Sequence, residues 1–70
     1  DTVSLIYFSE AAKDLNFTKT AQRLFISQQT LSNHIARLEE AYQVKLFERK
    51  PRLMLTSAGE TLLSFARDYK

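Results

Sequence analysis

From Ser27 to Arg37 the chain reads Ser-Gln-Gln-Thr-Leu-Ser-Asn-His-Ile-Ala-Arg, so amides, hydroxyls and a guanidinium surround Leu31 and Ile35, four residues apart. Wound as a helix at about 100° per residue, Ile35 and Leu38 fall within about 40° of Leu31. Gln29, Asn33, Ala36 and Arg37 then cluster on the opposite side, with Thr30 and Ser32 on the flanks. Simple solvation of a helix face is ordinarily left to Lys and Glu. Gln and Asn can instead bond adenine through two atoms, Arg can do the same with guanine, Ser and Thr suit several bases, and small groups can touch the thymine methyl. The chemistry on offer is hydrogen-bond readout of base edges in a duplex groove. Glu39 and Glu40, which would repel phosphate, stand in the C-terminal half. The N-terminal half is therefore the expected reading end, where free N–H groups and the helix dipole also favour an anion. An amide-rich helix start also follows from capping preference alone. Recognition is favoured by the joint placement of these groups.

The other chemically capable residues are better explained structurally. His34 is the only histidine and there is no cysteine, so no metal site is expected and His34 reads as a partly packed surface residue. Glu39, Glu40 and Glu60 read as solvated or ion-paired carboxylates rather than acid and base catalysts. Ser27 and Ser57 are explained by helix capping, with no nucleophile elbow or Gly-rich phosphate loop around them. No enzyme and no cofactor is expected. Arg49, Lys50 and Arg52 form the densest basic cluster, suited to phosphate or minor-groove contact.

Several elements must position these groups. Leu5, Phe8, Ala11, Ala12 and Leu15 predict an amphipathic helix over Thr2 to Asp14, ended by Asn16 and Phe17. Thr18 is the expected N-cap of a short helix to Phe25, whose apolar face is Ala21, Leu24 and Phe25. Ser27 is the expected N-cap of a third helix to about Ala41, held to the core by Ile26, Leu31, Ile35, Leu38 and Tyr42. Two helices joined by a tight turn, the second polar outside, describe a helix-turn-helix. Val44 to Arg49 and Arg52 to Thr56 read as a hairpin turning at Lys50-Pro51. Thr56 or Ser57 can cap a last helix, with Ser57 and Glu60 in capping-box spacing and Leu62, Leu63, Phe65, Ala66 and Tyr69 as its apolar stripe. That helix meets no stop signal before Lys70, which predicts its continuation in a longer protein.

With 70 residues, 44% of them hydrophobic, the chain suits one small domain. A chain of this size buries only about 60% of its unfolded surface. The lack of cysteine fits a reducing, cytoplasmic setting. No apolar run approaches the roughly 20 residues of a membrane span, and no signal-peptide pattern opens the chain. The net charge is only +2, but the basic excess sits in the middle. There Lys19, Arg23, Arg37, Lys45, Arg49 and Lys50 outnumber Glu39, Glu40 and Glu48.

Phe17-Thr18-Lys19-Thr20-Ala21-Gln22-Arg23-Leu24, Ile26-Ser27-Gln28, Leu31-Ser32, Ile35, Leu38-Glu39, Leu46-Phe47-Glu48-Arg49, Leu55-Thr56 and Ala58-Gly59-Glu60 resemble, in order and spacing, the LysR-type transcriptional regulators. The resemblance implies a mainly α fold, a winged helix-turn-helix: a three-helix core, a two-stranded β-hairpin wing and a C-terminal linker helix that dimerises. Residues 1–56 would be the DNA-binding domain and 57–70 the start of the linker, ahead of a separate effector-binding domain. Carried over by position, Ser27, Gln28, Gln29, Ser32 and Asn33 are major-groove readers, Thr18 and Arg37 backbone contacts, and Arg49 and Arg52, with Lys50 between them, wing contacts. The implied partners are double-stranded DNA with an imperfect inverted repeat, a second copy of the chain, and a small-molecule effector held only by the further domain. The sequence departs from the family pattern at Gln29, where proline is usual, at Asn33, where arginine is common, and at Gln43, usually glycine. The wing tip is also a residue shorter and lacks glycine.

The competing reading is a winged-helix protein-interaction module without DNA binding. It predicts an apolar outer face on the third helix.

Overall fold

The computed structural model describes residues 2–68. Helix α1 spans Thr2–Asp14, α2 Phe17–Leu24, α3 Gln28–Tyr42 and α4 Ser57–Asp68, with strands β1 (Phe47–Glu48) and β2 (Met54–Leu55) between α3 and α4. This is the expected mainly helical fold with a two-stranded antiparallel hairpin.

The apolar spacing of α1 buries Ser4, Phe8, Ala11 and Ala12 along one face. Leu15 ends the helix in the left-handed region, φ 49°, where its amide still bonds the Ala11 carbonyl at 2.8 Å. Asn16 then caps α2, its side chain accepting from the Lys19 amide at 3.0 Å. This corrects two expectations: Thr18 is not the cap, and Phe17 does not close α1 but opens α2. Starting the helix at Phe17 places Phe17, Thr20 and Ala21 on one buried face, and burying a Phe contributes about 1.5–3 kcal/mol. That outweighs any difference between Asn and Thr as caps.

Phe25 also departs from expectation. It is not on the apolar face of α2 but caps the helix in the left-handed region, φ 59°, and is 94% exposed. Its amide bonds the Gln22 carbonyl and that of Ile26 bonds Ala21, so the turn closes as a Schellman motif without glycine.

Ser27 caps α3 as expected, accepting from the Thr30 amide at 3.0 Å. Leu31, Ile35 and Leu38 are buried, with Ile26 packed partly against them. Tyr42 is not: at 54% exposure it lies past the core. Gln43 ends α3 at φ 57°, with the same double carbonyl bonding, and its own Nε2 donates to the Glu40 carbonyl at 2.7 Å. The left-handed position that favours glycine is thus held by a side-chain bond.

Each strand is two residues long, shorter than expected, pairing Phe47 with Leu55 and Glu48 with Met54. One further cross-hairpin bond runs from the Thr56 amide to the Leu46 carbonyl at 3.1 Å, and side chains take the next backbone groups. The amides of Leu46 and Phe47 donate to Glu39 Oε2, and the Lys45 carbonyl accepts from Thr56 Oγ1. Leu46 and Phe47 join Phe8, Phe17, Leu31, Ile35 and Leu38 in the core, so the wing grows out of the core rather than resting on it. A cis peptide joins Lys50 and Pro51 at the tip.

Thr56, not Ser57, caps α4, accepting from the Gly59 amide at 3.0 Å. Ser57 is the first helical residue, so the Ser57–Glu60 capping box does not form. Leu62 and Leu63 pack partly against the core, while Phe65 is 56% exposed. Tyr69 and Lys70 lie outside the described residues.

Candidate nucleic-acid interface

Gln28, Gln29, Thr30, Asn33, Ala36 and Arg37 are all exposed on α3, with Ser32 half-buried at the edge. No apolar side chain larger than Ala36 interrupts this face between Gln28 and Arg37. The exposed polar groups bond one another. Thr18 Oγ1, in the first turn of α2, donates to Gln28 Oε1 at 2.9 Å, which fixes the first residue of α3 against α2. Ser27 Oγ donates to Thr30 Oγ1 at 2.8 Å, and Gln29 Nε2 donates to Asn33 Oδ1 at 2.9 Å. The bonds of Gln28, Gln29 and Asn33 leave part of each amide's capacity unused, because an amide carries two donors and a two-lone-pair oxygen.

The wing is tied to the same corner. The Arg49 guanidinium lies over the Phe17 ring, 4.9 Å from its centroid, and that ring meets Phe47 edge-on at 5.2 Å. Arg49, Phe17, Thr18 and Gln28 therefore connect wing, α2 and α3 in one run. Lys50 and Arg52 stand exposed on the hairpin tip, and among the described residues neither forms a hydrogen bond or ion pair. They join the corner through the hairpin alone.

One base of the middle segment is committed elsewhere. Arg23 Nη1 donates to Glu10 Oε1 at 2.6 Å and Nη2 to Asp14 Oδ2 at 2.9 Å, with Lys13 also on Glu10. Arg23 is thus a clamp between α1 and α2 rather than part of the charge offered to a ligand. Bonds from Arg23 and Lys13 hold the Glu10 carboxyl below the usual glutamate range. The Thr20 hydroxyl first, then Arg23, does the same for Asp14.

Two supporting groups, Glu39 and Asn16, take roles that the sequence did not predict, and His34 keeps its expected one. Glu39, expected as a solvated or ion-paired carboxylate, instead caps the entrance to the wing; its signal is an acid one turn before the end of α3, facing a short loop. Asn16 is a capping residue by type and stands one position ahead of the buried Phe17. His34 was read as a packed surface residue and is half-buried: its Nδ1 and Ser4 Oγ are hydrogen-bonded at 2.8 Å and its ring meets Tyr7 edge-on, joining α3 to α1. Among the described residues no group of three or more His, Cys, Asp or Glu is placed to hold a metal. No helix among them is long and apolar enough to cross a membrane.

Residues 3–60 match the family model described as bacterial regulatory helix-turn-helix protein, lysR family. The chain is 50% identical over 60 residues to the transcriptional regulator CitR of Bacillus subtilis, covering 84% of this chain and 21% of the relative. It is 46% identical over 57 residues to the transcriptional activator AmpR of Pseudomonas aeruginosa, covering 80% and 19%. The chain thus spans about a fifth of the length of these relatives. Among solved structures, the DNA-binding domain of BenM in complex with catB site 1 DNA superposes with a TM-score of 0.92 at 33% identity, over 97% of this chain and 74% of that one. A DNA complex of the CbnR DNA-binding domain gives 0.90 at 35%, over 97% and 79%.

Proposed function

The chain belongs to the lysR family of bacterial regulatory helix-turn-helix proteins, and on that premise we propose that it is the sequence-specific duplex-DNA-binding domain of a transcription regulator. In this reading the N-terminal half of α3 enters the major groove, with Ser27, Gln28, Gln29, Ser32 and Asn33 toward base edges. Thr18 and Arg37 meet the backbone, and Arg49, Lys50 and Arg52 meet flanking phosphates or the minor groove. The carrying observation is the outer face of α3, a continuous set of exposed amides, hydroxyls and Arg37 braced to α2 through Thr18 and Gln28. A protein-docking module would need that face apolar, and it is polar.

Two further parts of the reading concern the longer protein. From Ser57 onward the chain begins a linker helix that pairs with a second copy, leading to a domain that binds a small-molecule effector. The exposed Phe65, with Tyr42 and Val44 beside a groove lined by Ala58 and Leu62, supplies an apolar surface for that pairing. Two-fold pairing makes the target an imperfect inverted repeat, in the bacterial cytoplasm.

Adding a duplex selected on this chain to isotope-labelled protein tests the placement. The expected result is backbone NMR shifts concentrated at Thr18, residues 27–37 and the wing tip. Shifts concentrated instead at Tyr42, Val44 and Phe65 would contradict it.

A further inference from the structure

Gln29 and Asn33 are both exposed one helical turn apart, and Gln29 Nε2 donates to Asn33 Oδ1 at 2.9 Å. We propose that this bond makes the two amides a single reading unit, in which Asn33 positions Gln29 for adenine and itself presents its Nδ2 donors to a neighbouring base pair. The inference rests on the duplex-binding reading of α3.

The bond uses one Nε2 hydrogen of Gln29 and the carbonyl oxygen of Asn33. Gln29 keeps Oε1 and its second Nε2 hydrogen, the acceptor and donor that adenine N6 and N7 require. Its orientation is set before DNA arrives, so the long side chain loses less freedom on binding. Asn33 keeps both Nδ2 hydrogens and one oxygen lone pair. With its oxygen turned toward Gln29, Nδ2 is the group left for a base edge, which complements guanine O6 and N7 or thymine O4 and opposes the cytosine N4 donor. The two residues are about 6 Å apart along the helix axis, one to two base steps of about 3.4 Å, so the pairs read are neighbours. Both amides are needed. A proline at position 29 has no hydrogen to give, and an arginine at 33 has no atom to accept it, so the two departures from the usual pattern at these positions act together.

The test is a titration of this chain against duplexes from a randomised selection on it, carrying each of the four bases at the two contacted pairs. The parent should prefer adenine at the first pair by about tenfold or more and guanine or thymine at the second. Asn33→Ala should cut the adenine preference at the first pair several-fold although Gln29 is intact. Asn33→Asp, which can still accept, should preserve that preference while losing the one at the second pair. The double variant Gln29→Ala/Asn33→Ala should lose less discrimination than the product of the two single losses, with melting curves unchanged throughout. An adenine preference untouched by Asn33→Ala, or losses that multiply independently, would overturn the pairing alone. A parent that binds no duplex would overturn the proposed function and this inference with it.

Discussion

Thr18 and Gln28 are exposed and add nothing to the core. Their 2.9 Å bond instead decides where the first amide of α3 is held. Thr18→Val keeps the shape and removes the donor. It should weaken binding to the preferred duplex by about 0.5–1.5 kcal/mol and leave the thermal midpoint unchanged, which anisotropy titration and a melting curve check together. Arg49 is proposed to act through charge on the backbone. Arg49→Ala should weaken all duplexes by a similar factor, and loss of its contact with the Phe17 ring should cost about 0.5–1 kcal/mol of stability, measured by urea unfolding. At this scale the polar character of the α3 face was legible, because burial of Leu31, Ile35 and Leu38 forces the other residues outward. The partners of those polar residues were not. Thr18 is a good capping residue by type, and only the burial of Phe17 one position earlier frees its hydroxyl for Gln28.

Helix α4 reaches the wing at Gly59. A Cβ there would fall onto the backbone carbonyl oxygen of Leu46 and against the Leu55 side chain. An alanine in a helix is otherwise favoured over glycine by about 0.5–1 kcal/mol, but overpacking against backbone costs about 1–3 kcal/mol. Gly59→Ala is therefore expected to destabilise the fold by about 1–2 kcal/mol in urea unfolding, against the sign that helix propensity gives. The clamp between α1 and α2 sets the acid response. Glu10 and Asp14 are held below the ordinary carboxylate range when folded, so the stability they contribute is complete above that range. It is lost as pH falls through their folded-state values. Arg23→Met should flatten the decline of the thermal midpoint on the acid side, and an unchanged slope would show the clamp contributes nothing. Helix positions followed from apolar spacing at i, i+3, i+4. Helix ends followed less well, because Leu15, Phe25 and Gln43 adopt left-handed caps that their residue types do not announce. The strands are shorter than expected for a related reason: beyond the bond from the Thr56 amide to the Leu46 carbonyl, the Glu39 carboxylate takes the Leu46 amide and the Thr56 hydroxyl takes the Lys45 carbonyl.

The described residues form a body of 31 × 25 × 20 Å, small enough that the polar face of α3, the wing and the apolar groove all draw on one core. One core and a mainly helical architecture were legible from length, the lack of cysteine and the periodicity. The division of the surface was not, since the middle segment's basic excess includes Arg23, which the fold commits to ion pairs with α1. We propose above all that the exposed face of α3, with the wing, binds duplex DNA by sequence. It is tested most directly by titrating the chain with its selected duplex and with a scrambled duplex of equal composition at several salt concentrations. The expected result is tighter binding to the selected duplex at every salt concentration. Its log affinity should fall linearly with log salt, by about 0.9 for each phosphate neutralised. Equal affinity for both duplexes would contradict sequence reading, and binding indifferent to salt would contradict a DNA interface altogether.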